Sequence, residues 1–326
     1  MTSADSLPLA DPVLADLLTG RLALVEERLR DAVTQADTLV DDASRHLVNA
    51  GGKRLRPLLT LLAAELGDGS RREVLDAAVV VELTHLASLY HDDVMDSAEL
   101  RRSAPSANAV YDNSVAIMVG DFLFARASSV VATLGMDFVA VQAETFARLV
   151  QGQIAELLGP RDTAPVEHHL AVVSDKTGSL IATSARLGGM VAGLDEADLD
   201  ALTRFGEEIG VVFQLSDDLI DITSDTAGKT PGTDLREGVQ TLATLTVAAS
   251  TDPADAELQE LVSRPLSEPE VGRALSLLRS HRVIADTRAE IARRAEVARS
   301  YLVGLPEGPA KRGLDALCDT VVTRSA

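Results

Sequence analysis

Apolar residues return at spacings of three and four along most of the chain, and strict alternation is scarce, so the pattern is one of helices rather than strands. The spacing predicts helices over 11–34, 36–49, 53–67, 71–96, 113–133, 137–157, 166–190, 195–224, 238–250, 268–302 and 309–323. Punctuation supports several of these: Gly51-Gly52 separates two helices and Gly159-Pro160 ends another. Ser267 followed by Glu270 has the form of a capping box ahead of the segment that starts near 268. Two stretches lack the helical period, 97–112 and 224–237; both are rich in Gly, Pro, Ser and charge, and each directly follows an aspartate cluster. No linker-like segment divides the sequence. The expectation is an all-α, single-domain helical bundle over 1–326, in which about 1–36 is a helical segment with few motif residues.

Composition sharpens this picture. Hydrophobic residues make up 46% of the chain but aromatics only 3%, with no Trp, so Leu, Val and Ala must fill the core; that diet favours helix over sheet. With 50 acidic against 30 basic side chains, the formal charge is −20, which argues against nucleic-acid partners and against docking on anionic lipid. Cys318 is the only cysteine, which excludes an intramolecular disulfide. The N-terminus lacks the pattern of a signal peptide. No uninterrupted apolar run approaches the length of a membrane span, since Glu65 breaks 58–66 and Glu82 and His85 break 77–90. These features predict no transmembrane segment and a cytoplasmic location.

The chemistry concentrates in two clusters. Asp92, Asp93 and Asp96 end a nearly all-apolar run, and Asp92 and Asp96, four apart, share a helix face. Like charges at that spacing cost a helix a few tenths of a kcal/mol, which a hard, oxygen-liganded cation would offset. A solvated acidic face explains one such cluster equally well. It does not explain the second, where Asp217, Asp218 and Asp221 repeat the D-D-x-x-D spacing at the end of another apolar helix. Carboxylates alone would repel a diphosphate; Mg²⁺ resolves the conflict by sharing its positions between carboxylates, phosphate oxygens and water. Fixed cations lie in marked settings: Lys53 and Arg56 at a helix start after Gly51-Gly52, Arg101-Arg102 beyond the first cluster, then Lys176-Thr177 and Lys229.

Taken together, these residues resemble the polyprenyl synthetase family, the trans-isoprenyl diphosphate synthases, from about Asp37 onward. The motifs are G-G-K-R-L-R-P (51–57), H-D-D-V-M-D with R-R (91–96, 101–102), G-D (120–121), K-T (176–177), F-Q-L-S-D-D-L-I-D (213–221) and G-K-x-x-G-x-D-L (228–235). The resemblance implies a bundle around a deep central cavity, as a homodimer, and Mg²⁺, three ions per site, held by Asp92, Asp93, Asp96, Asp217, Asp218 and Asp221. It implies that Arg101, Lys176, Thr177, Gln214 and Lys229 contact the allylic diphosphate, with Lys176 counted among the catalytic groups. Lys53, Arg56, His85 and Arg102 would bind isopentenyl diphosphate; for His85, a satisfied core histidine is the plain rival reading. The chain departs from the family pattern at Ser103, Gln153 and Val239, the last removing a lysine from the diphosphate surroundings.

In this family the residues before the first cluster line the tunnel for the growing product. Here they are Ala87 and Ser88, with Thr84, Val81 and Ala77 further back, none aromatic. Small residues predict a product longer than C20, with a C20 product as the competing expectation. Two rival classes remain: a terpene cyclase, disfavoured by the repeated D-D-x-x-D, and a non-catalytic acidic metal-binding scaffold, which leaves the basic motifs unexplained.

Overall fold

Several helix starts fall where an acid or hydroxyl precedes an apolar run. In the computed structural model, which describes residues 11–102, 104–224 and 231–324, α1 (Pro12–Ala32) begins on Asp11, whose carboxylate accepts from the N–H groups of Val13 and Leu14. Asp37 caps α2 (Thr38–Asn49) in the same way. There follow α3 (Leu55–Ala64), α4 (Glu73–Met95) and a two-stranded antiparallel ribbon, β1 (Leu100–Arg101) with β2 (Ala104–Pro105). Next come α5 (Ala107–Tyr111), α6 (Asn113–Ala132), α7 (Met136–Leu158), α8 (Pro165–Val173), a π-turn at Ser174–Gly178 and α9 (Ser179–Ala192). The remainder is α10 (Glu196–Thr223), α11 (Thr233–Glu237), α12 (Leu242–Ala248), a 3₁₀ turn at Pro253–Asp255, α13 (Ala256–Leu261), α14 (Glu268–Ser280), α15 (Val283–Tyr301) and α16 (Pro309–Thr323). The all-α expectation holds, the ribbon being the only strand pair among the described residues.

The chain divides into two compact units. One comprises residues up to 147 with 180–203 and 304–316, and α4 is its axis. That helix is apolar all round, as a fully buried helix must be, and is enclosed almost continuously from Val74 to Tyr90. α1, α3, α5 and α6 pack on it. α1 presents Leu14, Leu18, Leu22, Val25 and Leu29, a three-to-four period, to the core. The buried Tyr90 hydroxyl donates to Ala43 O (2.5 Å) and accepts from Leu47 N–H (3.2 Å), which ties α2 to the C-terminal end of α4. By length and composition α6 could cross a bilayer, with a mean hydropathy of 1.7, although Asp121 and Arg126 interrupt it. The helix itself was expected over 113–133, but not its span-like composition, because only uninterrupted apolar runs were counted; packing against α4 covers part of its apolar surface.

The second unit comprises 148–179, 204–303 and the residues from 317 on. Phe205, Ile209, Val212, Leu215 and Leu219 bury one face of α10, and α12 packs against α8 and α15. The Ser267–Glu270 capping box forms as expected. The single helix expected over 268–302 is divided at His281, which is extended. Its Nδ1 accepts from Val283 N–H (3.1 Å) and its Nε2 meets Asp255 Oδ1 at 3.1 Å, so the side chain itself starts α15. The helix expected over 166–190 is interrupted by the π-turn, and the two loop-like stretches contain the ribbon with α5 and then α11.

Candidate active site

Both aspartate clusters lie at helix C-terminal ends, where the helix dipole is already negative. α4 and α10 carry no basic residue in their last turns to offset it. In the first unit, Asp92 is partly accessible, Asp96 is exposed, and Asp93 is buried. Asp93 Oδ1 accepts from Arg101 Nε at 2.6 Å, while Oδ2 is buried with no partner. Burial pushes the Asp93 carboxyl upward, only in part countered by Arg101. The ribbon explains that pairing, because it turns the chain straight back after α4 and brings Arg101 beneath the cluster.

Arg102 follows at φ +56° and donates to Leu47 O (3.2 Å). Its guanidinium lies against Gly52, where a Cβ would stand 2.8 Å from Arg102 Cζ and where φ is +142°. Only glycine fits there, which gives the Gly-Gly of the first motif a physical cause. Beside it, Arg56 Nε is buried without a partner, and burial pulls its pKa down to about 10 despite Glu82. His85 is half-buried, and burial together with Arg56 and Arg102 holds its imidazole well below its usual range, so it is neutral at pH 7. Unsatisfied donors and crowded cations around a neutral histidine suit an anion. Lys53 is exposed at the entrance to this motif.

The motif's middle cation behaves otherwise. Arg54, φ +46°, is buried, donates to Glu82 Oε1 (2.6 Å) and Val48 O (2.9 Å), and bonds Glu26 as well. It is a structural brace that sequence reasoning passed over. Gly120 is likewise explained, since a Cβ there would strike His91 Nε2 at 2.3 Å; that nitrogen lies 3.1 Å from Ile117 O and 3.4 Å from Asp121.

In the second unit, Gln214 Nε2 donates to Asp218 Oδ1 (2.8 Å), and Thr177 Oγ1 donates to Gln214 Oε1 (3.2 Å). Lys176 projects from the π-turn and pairs with Glu156. Arg324 bonds Asp217 Oδ1 at 2.8 Å, its guanidinium 4.9 Å from the Phe213 ring. Asp221 Oδ2 accepts from Asp234 N–H (3.2 Å), so the motif's second half closes back on the cluster. Asp234 was quoted in the sequence pattern but given no role. Burial, reinforced by Asp218 and Asp221, pushes its carboxyl up to about 8; burial and the neighbouring carboxylates take Asp218 to about 7. Lys229 lies outside the described residues.

These donor sets fit a hard cation: all-oxygen, crowded, carrying an orphaned buried oxygen on Asp93 and an Asp218 carboxyl raised by burial and by its neighbouring carboxylates. Among the described residues no three acidic or histidine groups converge on one metal position. Of the two residues assigned to chain length, Ala87 is wholly enclosed, while Ser88 is partly accessible with its hydroxyl on His85 O (2.9 Å).

The polyprenyl synthetase sequence profile matches residues 37–278. The nonaprenyl diphosphate synthase of Mycobacterium tuberculosis is 44% identical over 99% of this chain and 98% of its own. The structure of the geranylgeranyl pyrophosphate synthase of Corynebacterium glutamicum, complexed with calcium and isoprenyl diphosphate, superposes with a TM-score of 0.88 at 44% identity, covering 98% of this chain and 99% of that one. A decaprenyl diphosphate synthase from Rhodobacter capsulatus gives a TM-score of 0.88 at 32% identity, covering 97% and 99%.

Proposed function

This chain belongs to the polyprenyl synthetase family, and we propose that it is a prenyltransferase joining isopentenyl diphosphate head to tail (1′-4) to an allylic diphosphate, releasing diphosphate and yielding an all-trans polyprenyl diphosphate longer than C20. The observation that carries this is the pair of aspartate clusters on the C-terminal ends of α4 and α10, each uncompensated within its own helix. In this reading the two units act as one catalytic domain.

Asp92, Asp93 and Asp96 with Asp217, Asp218 and Asp221 would hold Mg²⁺, three ions per site, which supplies charge neutralisation to the departing diphosphate. Lys176 and Thr177 add fixed contacts to the allylic diphosphate, as would Lys229. Arg101 and Gln214, while bracing Asp93 and Asp218, keep further N–H groups for the same allylic diphosphate. Lys53, Arg56 and Arg102 hold the isopentenyl diphosphate, with the unpartnered Arg56 Nε as one donor; neutral His85 adds a contact without competing for protons. The allylic C–O bond breaks, the isopentenyl double bond attacks that carbon, and a proton leaves to restore a double bond. No side-chain nucleophile takes part. Exposed Ile117 and Met118 on α6, with Met136 and Ile154 on α7, support a homodimer.

The longer product is favoured by the small residues of α4 and the likeness to the nonaprenyl synthase; a C20 product is favoured by the equal likeness to the Corynebacterium protein. Labelled isopentenyl diphosphate in excess, supplied with each allylic primer in turn and followed by mass spectrometry, decides between them. Products ending at C20 would overturn the length assignment. Turnover of an allylic diphosphate alone would overturn the reaction.

A further inference from the structure

Asp218 is addressed from two sides, and only one contact is made. Its Oδ1 takes the Gln214 amide at 2.8 Å, and Gln214 is in turn oriented by Thr177. Its Oδ2 faces His169 Nε2 at 4.0 Å, just beyond hydrogen-bond reach. That nitrogen is fully buried and has no partner. A buried donor left unmade costs about 1–3 kcal/mol, so an orphan in a folded protein asks for a reason. His169 sits on α8, on the wall of a cavity of about 280 Å³ that Glu156, His168, Val239 and Gln240 also line. Burial lowers its pKa, which keeps the ring neutral, and the facing carboxylate favours the tautomer with the proton on Nε2. No described side chain other than Gln214 donates to Asp218.

We propose that His169 is a positioning residue for Asp218, closing the remaining gap to donate its Nε2–H to Oδ2 when that carboxylate takes up a cation. A carboxylate has about four lone-pair sites, so two donors still leave sites for a metal while fixing the plane of the group. Held by one donor it can turn about its terminal torsion, which is soft; held by two it presents a single orientation. Partners of this kind commonly govern metal affinity by about 10- to 100-fold. The inference rests on reading the second aspartate cluster as a cation site.

The test is Mn²⁺ binding by electron paramagnetic resonance to the full chain in the presence of inorganic diphosphate, with steady-state kinetics in parallel. His169→Phe is expected to weaken Mn²⁺ binding about 10- to 100-fold and to raise KM for the allylic substrate while leaving KM for isopentenyl diphosphate unchanged. His169→Gln, which retains a neutral donor, recovers most of the loss, and His168→Phe, on the same cavity wall, leaves binding as in the parent. Where His169→Phe does not fold, His169→Asn, too short to span the gap, takes its place with the same expectation. Parental Mn²⁺ affinity in the His169 variant, or an equal loss in His168→Phe, overturns the proposal. Asp218→Asn separates the two levels: if it too binds Mn²⁺ normally, the cation-site reading itself fails.

Discussion

Replacing Arg54 with Met separates a brace from a substrate contact within one short motif. Arg54 and Glu82 expose only 3% and 2% of their side chains and meet at 2.6 Å, with Glu26 and Val48 O completing the shell. Burial pulls the Arg54 pKa down, yet Glu82 and Glu26 more than offset this and the group is held above its usual value. Methionine keeps much of the volume but removes the hydrogen-bonded partner of buried Glu82, leaving only the more distant Arg56 and Arg102 to balance it, at a cost of about 3–5 kcal/mol. For a chain of 326 residues, about 1.5 °C accompanies each kcal/mol, so Tm should fall by roughly 5–7 °C. The double variant Arg54→Met/Glu82→Leu removes both charges and should recover most of the loss, since a buried pair is often replaceable by apolar groups. Differential scanning calorimetry with KM for isopentenyl diphosphate on each variant checks this. A single variant with parental Tm and a raised KM would refute the reasoning, because Arg54 would then be a ligand for substrate.

Four further outcomes follow from the same structure. Gly52→Ala brings a Cβ to 2.8 Å from Arg102 Cζ at a φ that side chains avoid; displacing that guanidinium should raise KM for isopentenyl diphosphate with little change in kcat, and an unchanged KM would separate Gly52 from the site. In the metal-free protein Asp218 and Asp234 hold protons up to about 7 and about 8, whereas unfolded they lose them near 3.8. Stability from this source is full below the unfolded value and is lost as pH rises through the folded ones, so Tm should fall between about pH 5 and 8; Asp234→Asn should flatten the slope, and a parental slope in that variant refutes the assignment. Arg324→Gln frees Asp217 from a pair whose side chains are 27% and 34% exposed; such pairs contribute about 0–1 kcal/mol, so the apparent Mg²⁺ affinity should rise by no more than about fivefold, and a fall would show that Arg324 serves the substrate. Ser88→Phe, at a partly accessible position, should shorten the products; an unchanged distribution by mass spectrometry would exclude Ser88 from the tunnel wall.

Most helices were legible because each carried its own signal: a three-to-four apolar period, an Asp or Ser cap, a Gly-Pro stop. α6 begins and ends within a residue of the predicted 113–133. The misses have local causes. Nothing in the apolar period of 268–302 marks His281, whose two ring nitrogens break the helix by bonding groups at 255 and 283. The π-turn carrying Lys176 leaves the apolar pattern of 166–190 intact, so only backbone geometry shows it. In the site, residue type and spacing pointed to the aspartates and basic motifs, but not to which cation serves which end. Arg54 stands between Lys53 and Arg56 in sequence and is chemically their equal; only burial against Glu82 sets it apart. His169 had no motif at all, and its signal is the three-dimensional one of an unmade bond.

The enclosed course of α4 bears on how product length can change over generations. The helix that ends in the first aspartate cluster is also the central beam of its unit, with Ala77, Val81, Thr84 and Ala87 wholly or almost wholly enclosed. Enlarging such a residue overpacks the core by about 1–3 kcal/mol before any product is altered. Folded proteins hold only about 5–15 kcal/mol in reserve. On the proposed tunnel reading, a lineage shifting its chain length through α4 has few single steps open to it, and those steps become accessible after unrelated stabilising changes elsewhere. Product spectrum and thermal tolerance should drift together in such lineages, with Ser88, at the more open position, as the place where the two come apart.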